Sequence, residues 1–211
     1  MPRWHTQGWA RERLLRGLPV QERRLDVNGV ATVVLEGGQG PPLVLLHGGI
    51  PSGGAYWAPV IPRLAERHRL VVPDVPGLGE SEPVARLDPA VFANWFAALL
   101  RLTCQERPAL FAHSLLGSLA ARFAAQLGDL LRRLVLWGTP GIGPYRIPLG
   151  LLVTAPRFDL RPSDRNQKRF TRWAFLDPER TRQHDPEWFD AFNAYGRRVG
   201  PSRTISARCG T

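Results

Sequence analysis

Four short apolar runs constrain this chain more than any other feature: Leu43-Val44-Leu45-Leu46, Leu70-Val71-Val72, Ala109-Leu110-Phe111-Ala112 and Leu134-Val135-Leu136-Trp137. Each is too short for a buried helix and lacks polar alternation, so each reads as a strand covered on both faces. Helix-forming stretches lie between them. Asp88 stands as an N-cap before Pro89 and opens a helix to about Leu102, with Val91, Phe92, Trp95, Phe96, Leu99 and Leu100 at helical spacing. Residues 115–127 form a second helix, closed by Gly128, and residues 58–66 read as a third. Strands alternating with helices predict an α/β protein built on a mostly parallel sheet with helices on both faces. Ahead of that sheet, residues 24–30 and 31–36 alternate as two strands joined by an Asn28-Gly29 hairpin turn.

The texture changes after Gly138. Prolines and glycines crowd residues 138–150, and no further buried strand follows. Asp177-Pro178-Glu179 and Asp185-Pro186-Glu187 are two helix starts, each with Asp as N-cap and Pro in the first turn. Aromatic residues accompany them: Phe170, Trp173, Phe175, Trp188, Phe189, Phe192 and Tyr195. The expected organisation is a basic N-terminal segment over 1–24, a partial α/β core over 25–142, and a helical cap with a shortened tail over 143–211.

A formal charge of +10 raises the question of nucleic acid, so its location matters. Residues 1–24 carry +4 and residues 151–211 carry +5, which leaves +1 for the stretch holding the strands. A phosphate-tracking surface concentrates charge on its working domain, so no nucleic-acid partner is expected. Cys104 and Cys209 make neither a disulfide framework nor a metal-ligand spacing, so no metal site is expected. No signal-peptide core follows the arginine-rich start, because Arg16 and Gly17 interrupt Leu14, Leu15 and Leu18. No apolar run reaches membrane length. A cytoplasmic protein without membrane contact is the expectation.

Three residue sets carry chemistry. Ala112-His113-Ser114-Leu115-Leu116-Gly117 sits where a strand passes into a helix, the setting of a nucleophile elbow. Such a turn strains the serine backbone and requires small neighbours two places away. Ala112 meets that need; Leu116 threatens to crowd the elbow, with Gly117 one place late. The hydroxyl of Ser114 stands at a helix N-terminus, where backbone N–H groups stabilise an anion. His47-Gly48-Gly49 ends the first buried strand, and glycine there lets the backbone aim N–H groups at a developing charge. The amides of Gly49 and Leu115 are the two expected oxyanion donors, with His47 and Gly48 as the supporting loop. Asp74-Val75-Pro76-Gly77-Leu78-Gly79-Glu80-Ser81 follows the next strand.

In this order and spacing the three sets resemble the α/β-hydrolase superfamily, over a stretch from about Leu25 to the end of the chain. The resemblance implies a serine hydrolase with Ser114 as nucleophile, no cofactor, and a helical lid shaping a pocket for a small apolar substrate. An ester or similar acyl bond is the expected target. Epoxide hydrolases and dehalogenases of this type use an aspartate nucleophile, so Ser114 argues against both. The family's triad acid and histidine belong beyond the lid, and the sequence ends without them. Impaired hydrolysis is therefore expected, or a non-catalytic or truncated member of the fold. His113 should point away from Ser114, and His184 in the cap is a remote candidate for the base. Leu134–Trp137 would then be an exposed apolar edge open to self-association.

Overall fold

A computed structural model of the protein describes residues 9–49, 52–143 and 148–199. One six-stranded sheet organises it: β1 (Val20–Val27), β2 (Val30–Gly37), β3 (Pro42–Leu46), β4 (Arg69–Pro73), β5 (Ala109–His113) and β6 (Arg133–Trp137), in the order β1-β2-β4-β3-β5-β6. β1 and β2 pair antiparallel, and β2 pairs antiparallel with β4. β4, β3, β5 and β6 run parallel, so the α/β class with a mostly parallel sheet is the observed one.

The β1–β2 hairpin turns at Asn28 and Gly29, whose φ values of 52° and 78° suit the type I′ turn that the residue pair favours. β1 starts at Val20, four residues before the alternation at Arg24 indicates. Gln21, Glu22, Arg23 and Arg24 are all exposed on this edge strand, so no buried face imposes a period of two there.

Side-chain alternation along the central strands feeds two cores. On one face Val34, Val44, Leu46, Val71, Leu110 and Ala112 pack against α3 (Pro89–Thr103) and α4 (Ser114–Leu127), through Phe92, Trp95, Phe96, Leu116 and Phe123. On the other, Leu35, Leu45, Leu70 and Val72 meet Trp57, Ile61 and Ala65. The expected helix over 58–66 is instead a 3-10 turn at Gly53–Trp57 followed by the short α2 (Ile61–Ala65), with Pro62 in its first turn. Asp88 caps α3 as expected, its carboxylate accepting from the amides of Ala90 and Val91 at 3.0 and 2.9 Å.

Among the described residues four helices follow β6: α5 (Leu149–Leu160), α6 (Asp164–Ala174), α7 (Pro178–His184) and α8 (Pro186–Val199). Asp177 and Asp185 accept from the amides of Arg180 and Trp188, both at 2.9 Å, as N-caps should. At the other end of the chain, α1 (Trp9–Leu15) packs Ala10 and Leu14 against Ala191, Phe192 and Tyr195 of α8. The basic N-terminal stretch thus supplies both a helix that packs on α8 and the start of strand β1. Among the described residues β6 is the last strand of the sheet and pairs with β5 alone. Its Leu134 and Leu136 face the core, while Val135 and Trp137 are 39% and 52% exposed on the opposite face.

Candidate active site

β5 ends at His113 and α4 begins at Ser114 with no loop residue between them. The reversal falls on Ser114, whose φ of +52° lies in the left-handed region. For a residue with a side chain that conformation stores about 1–3 kcal/mol and persists only where its surroundings enforce it. Ala112, two places earlier, is fully buried. Leu116 does not crowd the turn, because its side chain joins the core of α3 and α4 and is 1% exposed. Gly117 has a separate use: a Cβ there would lie 2.1 Å from Thr139 Oγ1, so its absence lets the chain after β6 approach α4.

The glycine pair lies against this turn. A Cβ on Gly48 would sit 2.6 Å from His113 Nδ1 and 3.3 Å from Ser114 Cβ. Gly49 has φ +79°, and a Cβ there would touch Leu115 Cβ at 3.5 Å. The structure therefore brings Gly48, Gly49, Ser114 and Leu115 into one corner at the C-terminal ends of β3 and β5. Leu115 and Trp137 are each 52% exposed, so this corner opens to solvent on the β6 side.

The histidines have distinct places. His47 is fully buried and its Nε2 accepts from the Val75 amide at 3.4 Å. Burial, with His113 nearby, pushes its pKa down to about 3, so the ring is neutral and Nδ1 carries the proton. His113 points away from the α3–α4 core into an aromatic stack. Tyr56 lies parallel to it at 5.3 Å, and Trp137 packs on it at 4.6 Å. Burial lowers its pKa also. His68 precedes β4, at the end of the parallel strands remote from Ser114. His184 is exposed in the last turn of α7. His5, Cys209 and the tail from Gly200 lie outside the described residues.

The Asp74 loop braces the glycine turn. The Asp74 carboxylate is 1% exposed and accepts from the Gly54 amide at 2.5 Å and the Glu80 amide at 2.9 Å. Gly53 and Gly79 close over it so tightly that a Cβ on either would lie 2.2–2.3 Å from the carboxylate. Ser81 Oγ donates to the Asp74 carbonyl at 2.7 Å and accepts from the Val33 amide at 2.8 Å, tying the loop to β2. Burial pushes the Asp74 carboxyl up to about 6, against the opposing pull of Arg11 and the Gly54 N–H.

Sequence reasoning missed Arg11 and Tyr195. Arg11 Nη2 stands 3.2 Å from Asp74 Oδ2, and its Nη1 donates to the Tyr195 hydroxyl at 2.8 Å. The one local signal was Ala10 and Leu14, four residues apart on a helix face. Phe192 of α8 comes within 6.3 Å of Tyr56, so this helix reaches the stack that holds His113. Two clefts, of about 670 and 300 Å³, lie elsewhere: one beside Arg23 and Arg69, the other between α1 and the start of α8. Among the described residues no cluster of His, Cys, Asp and Glu would hold a metal ion, and no helix is long and apolar enough to cross a membrane.

The sequence profile of the α/β-hydrolase fold matches residues 41–199, which contain the glycine pair, the Asp74 loop, the turn at Ser114 and the helices after β6. The chain belongs to this family. It is 35% identical over 133 residues to a soluble epoxide hydrolase of Corynebacterium sp. (strain C12), covering 60% of this chain and 46% of the relative. It is 32% identical over 124 residues to the 2-hydroxymuconate semialdehyde hydrolase of Pseudomonas sp. (strain CF600), covering 57% and 44%. The chain thus spans less than half the length of these relatives. Naproxen esterase of Bacillus subtilis shares the fold at a TM-score of 0.78 and 18% identity, over 97% of this chain and 70% of that one. Both relatives carry the name of a hydrolase, one of epoxides and the other of 2-hydroxymuconate semialdehyde.

Proposed function

We propose that this α/β hydrolase is of the serine type, acting on a carboxylic ester or similar acyl bond of a small apolar substrate. One observation carries the reading: Ser114, alone with Asn28 among the described non-glycine residues, has positive φ, and it does so against Gly48 and Gly49. A hairpin turn accounts for Asn28. Nothing in chain reversal requires the same of a serine between a strand and a helix, whereas lifting its hydroxyl above the sheet does. In this reading Ser114 Oγ attacks the acyl carbon, and the Gly49 and Leu115 amides hold the oxyanion as the tetrahedral intermediate forms. The leaving group departs with a proton, and water then releases the acyl group. Donors of that kind are worth about 10²–10³ in rate each.

The same reading sets an epoxide aside, despite the epoxide hydrolase among the relatives, because a serine stands where an aspartate would have to attack. It assigns the base and its orienting acid to no described residue. His47 accepts from a backbone amide and stays neutral, and His113 is held in its stack. Slow turnover follows, and a non-catalytic fold member is the rival. Hydrolysis of p-nitrophenyl acetate and butyrate by the wild type and Ser114→Ala separates the two. A Ser114-dependent rate above background supports the hydrolase; identical rates for both proteins support the rival.

A further inference from the structure

We infer that Arg11 is a positioning residue of this site. By pairing with Asp74 it locks the brace behind the glycine turn to the cap, making the N-terminal helix, which lies outside the family match, part of the site's framework.

The inference starts from a buried anion. Asp74 fastens two segments at once, the turn at Gly53–Trp57 through the Gly54 amide and the 79–81 loop through the Glu80 amide. Next to Asp74, the Val75 amide donates to His47 Nε2, directly before Gly48, so whatever holds Asp74 ionised bears on the glycine pair. A carboxylate 1% exposed needs a cation, since removing one partner of a buried pair is strongly destabilising. The charged and titratable groups that act on it are Arg11 from α1, Glu22 from β1 and Tyr195 from α8, with Glu80 on its own loop; His47 on the adjoining amide is neutral. Arg198 pairs with Glu80, and Tyr195 donates to Glu80 at 3.0 Å. Arg11 is left as the cation that meets Asp74 directly.

Its shape explains why arginine stands there. One guanidinium, on a side chain 7% exposed, serves Glu22 at 2.9 Å, Tyr195 at 2.8 Å and Asp74 at 3.2 Å, and so joins the first strand, the last helix and the loop between. The planar fork allows three divergent partners, which an ammonium on a single stem does not match. Without it the carboxyl takes up a proton, its hold on the Gly54 and Glu80 amides weakens, and the turn loosens.

The inference rests on reading Ser114 and Gly49 as the site, but its test does not pass through catalysis. In the full chain, carboxyl-carbon NMR follows Asp74 through pH, and amide hydrogen exchange follows Gly54 and Glu80, whose N–H groups Asp74 accepts. Arg11→Met should raise the Asp74 midpoint by about one unit or more, because an adjacent opposite charge lowers a carboxyl by about 1–3 units. Exchange at Gly54 and Glu80 should quicken on the order of tenfold while the amides of β3 and β5 keep their protection. Arg11→Lys should restore much of the midpoint and less of the protection. Arg11→Met combined with Asp74→Asn should recover slow exchange at both amides, since no buried charge remains to balance. An unchanged midpoint and unchanged exchange in Arg11→Met overturns the inference, as does an equal loss of protection throughout the sheet. If Arg11→Met alone fails to fold, the double variant decides: slow exchange at the two amides supports the pairing, and fast exchange overturns it. Failure of Ser114 to react would leave these readouts untouched.

Discussion

Replacing His47 by Gln should flatten one component of the protein's acid sensitivity, by an amount the structure specifies. The ring is fully buried beneath the glycine turn, and its pKa falls from 6.5 to about 3. A depressed histidine contributes stability that is complete above its unfolded pKa and is lost as pH falls from there toward the folded value. Between pH 7.5 and pH 5.0 that loss amounts to about 2 kcal/mol. Asp74 runs the other way. Its carboxyl is raised from 3.8 to about 6, so the folded protein takes up that proton first and gains stability on acidification, on the order of 1 kcal/mol by pH 5.0. The wild type alone therefore mixes opposing contributions, that of His113 among them, and the comparison with a variant isolates His47. Gln suits the site because its Oε1 replaces Nε2 as acceptor for the Val75 amide and does not titrate. Urea unfolding of both proteins at the two pH values gives the quantity needed. The wild type should lose about 2 kcal/mol relative to His47→Gln on acidification. A difference between the proteins that stays constant across this range would refute the placing of a neutral histidine under the turn.

Other consequences follow from single contacts. Gly48→Ala introduces a Cβ 2.6 Å from His113 Nδ1 and should cost about 1–3 kcal/mol in thermal unfolding, together with any Ser114-dependent activity; a wild-type Tm would show that the two turns are further apart. Asp88→Ala removes the acceptor of two amides at the start of α3 and should cost about 1 kcal/mol by urea titration, with activity unchanged. We further propose that the unpaired β6 edge drives self-association, so Val135→Lys should shift sedimentation velocity profiles toward monomer. Profiles that match the wild type at every concentration would place any contact elsewhere.

Much of this molecule is legible in its residues, for reasons that differ from place to place. The central strands announce themselves because burial on both faces admits only apolar side chains, as at Leu43–Leu46, where the pattern and the observed β3 (Pro42–Leu46) nearly coincide. Asn28-Gly29 and Asp88-Pro89 succeed because backbone sterics and one carboxylate decide the local conformation without tertiary help. The elements that escaped depend on partners far along the chain. β1 begins among four exposed polar residues because β2 supplies its register, from Val20 opposite Gly37 to Val27 opposite Val30. The 3-10 turn at Gly53–Trp57 hides behind two glycines that look like loop until Asp74 is placed over them. α6 is polar over most of its length and carries only Ser163 as a weak N-terminal sign. Arg11 is one of many arginines in the sequence, and nothing local marks it as the one that is buried. The corner of Gly48, Gly49, Ser114 and Leu115 was readable because each residue sits at the end of a buried strand, where the parallel sheet collects them.

The proposed serine chemistry requires Ser114 to present its hydroxyl above the sheet beside the amides of Gly49 and Leu115. Treating the purified chain with a fluorophosphonate and mapping the adduct by peptide mass spectrometry tests this most directly. The geometry predicts one phosphonate, carried on the peptide containing Ser114, absent from Ser114→Ala and slowed in Gly48→Ala. No adduct after prolonged exposure of folded protein, or equal modification of Ser114→Ala at another residue, would contradict it.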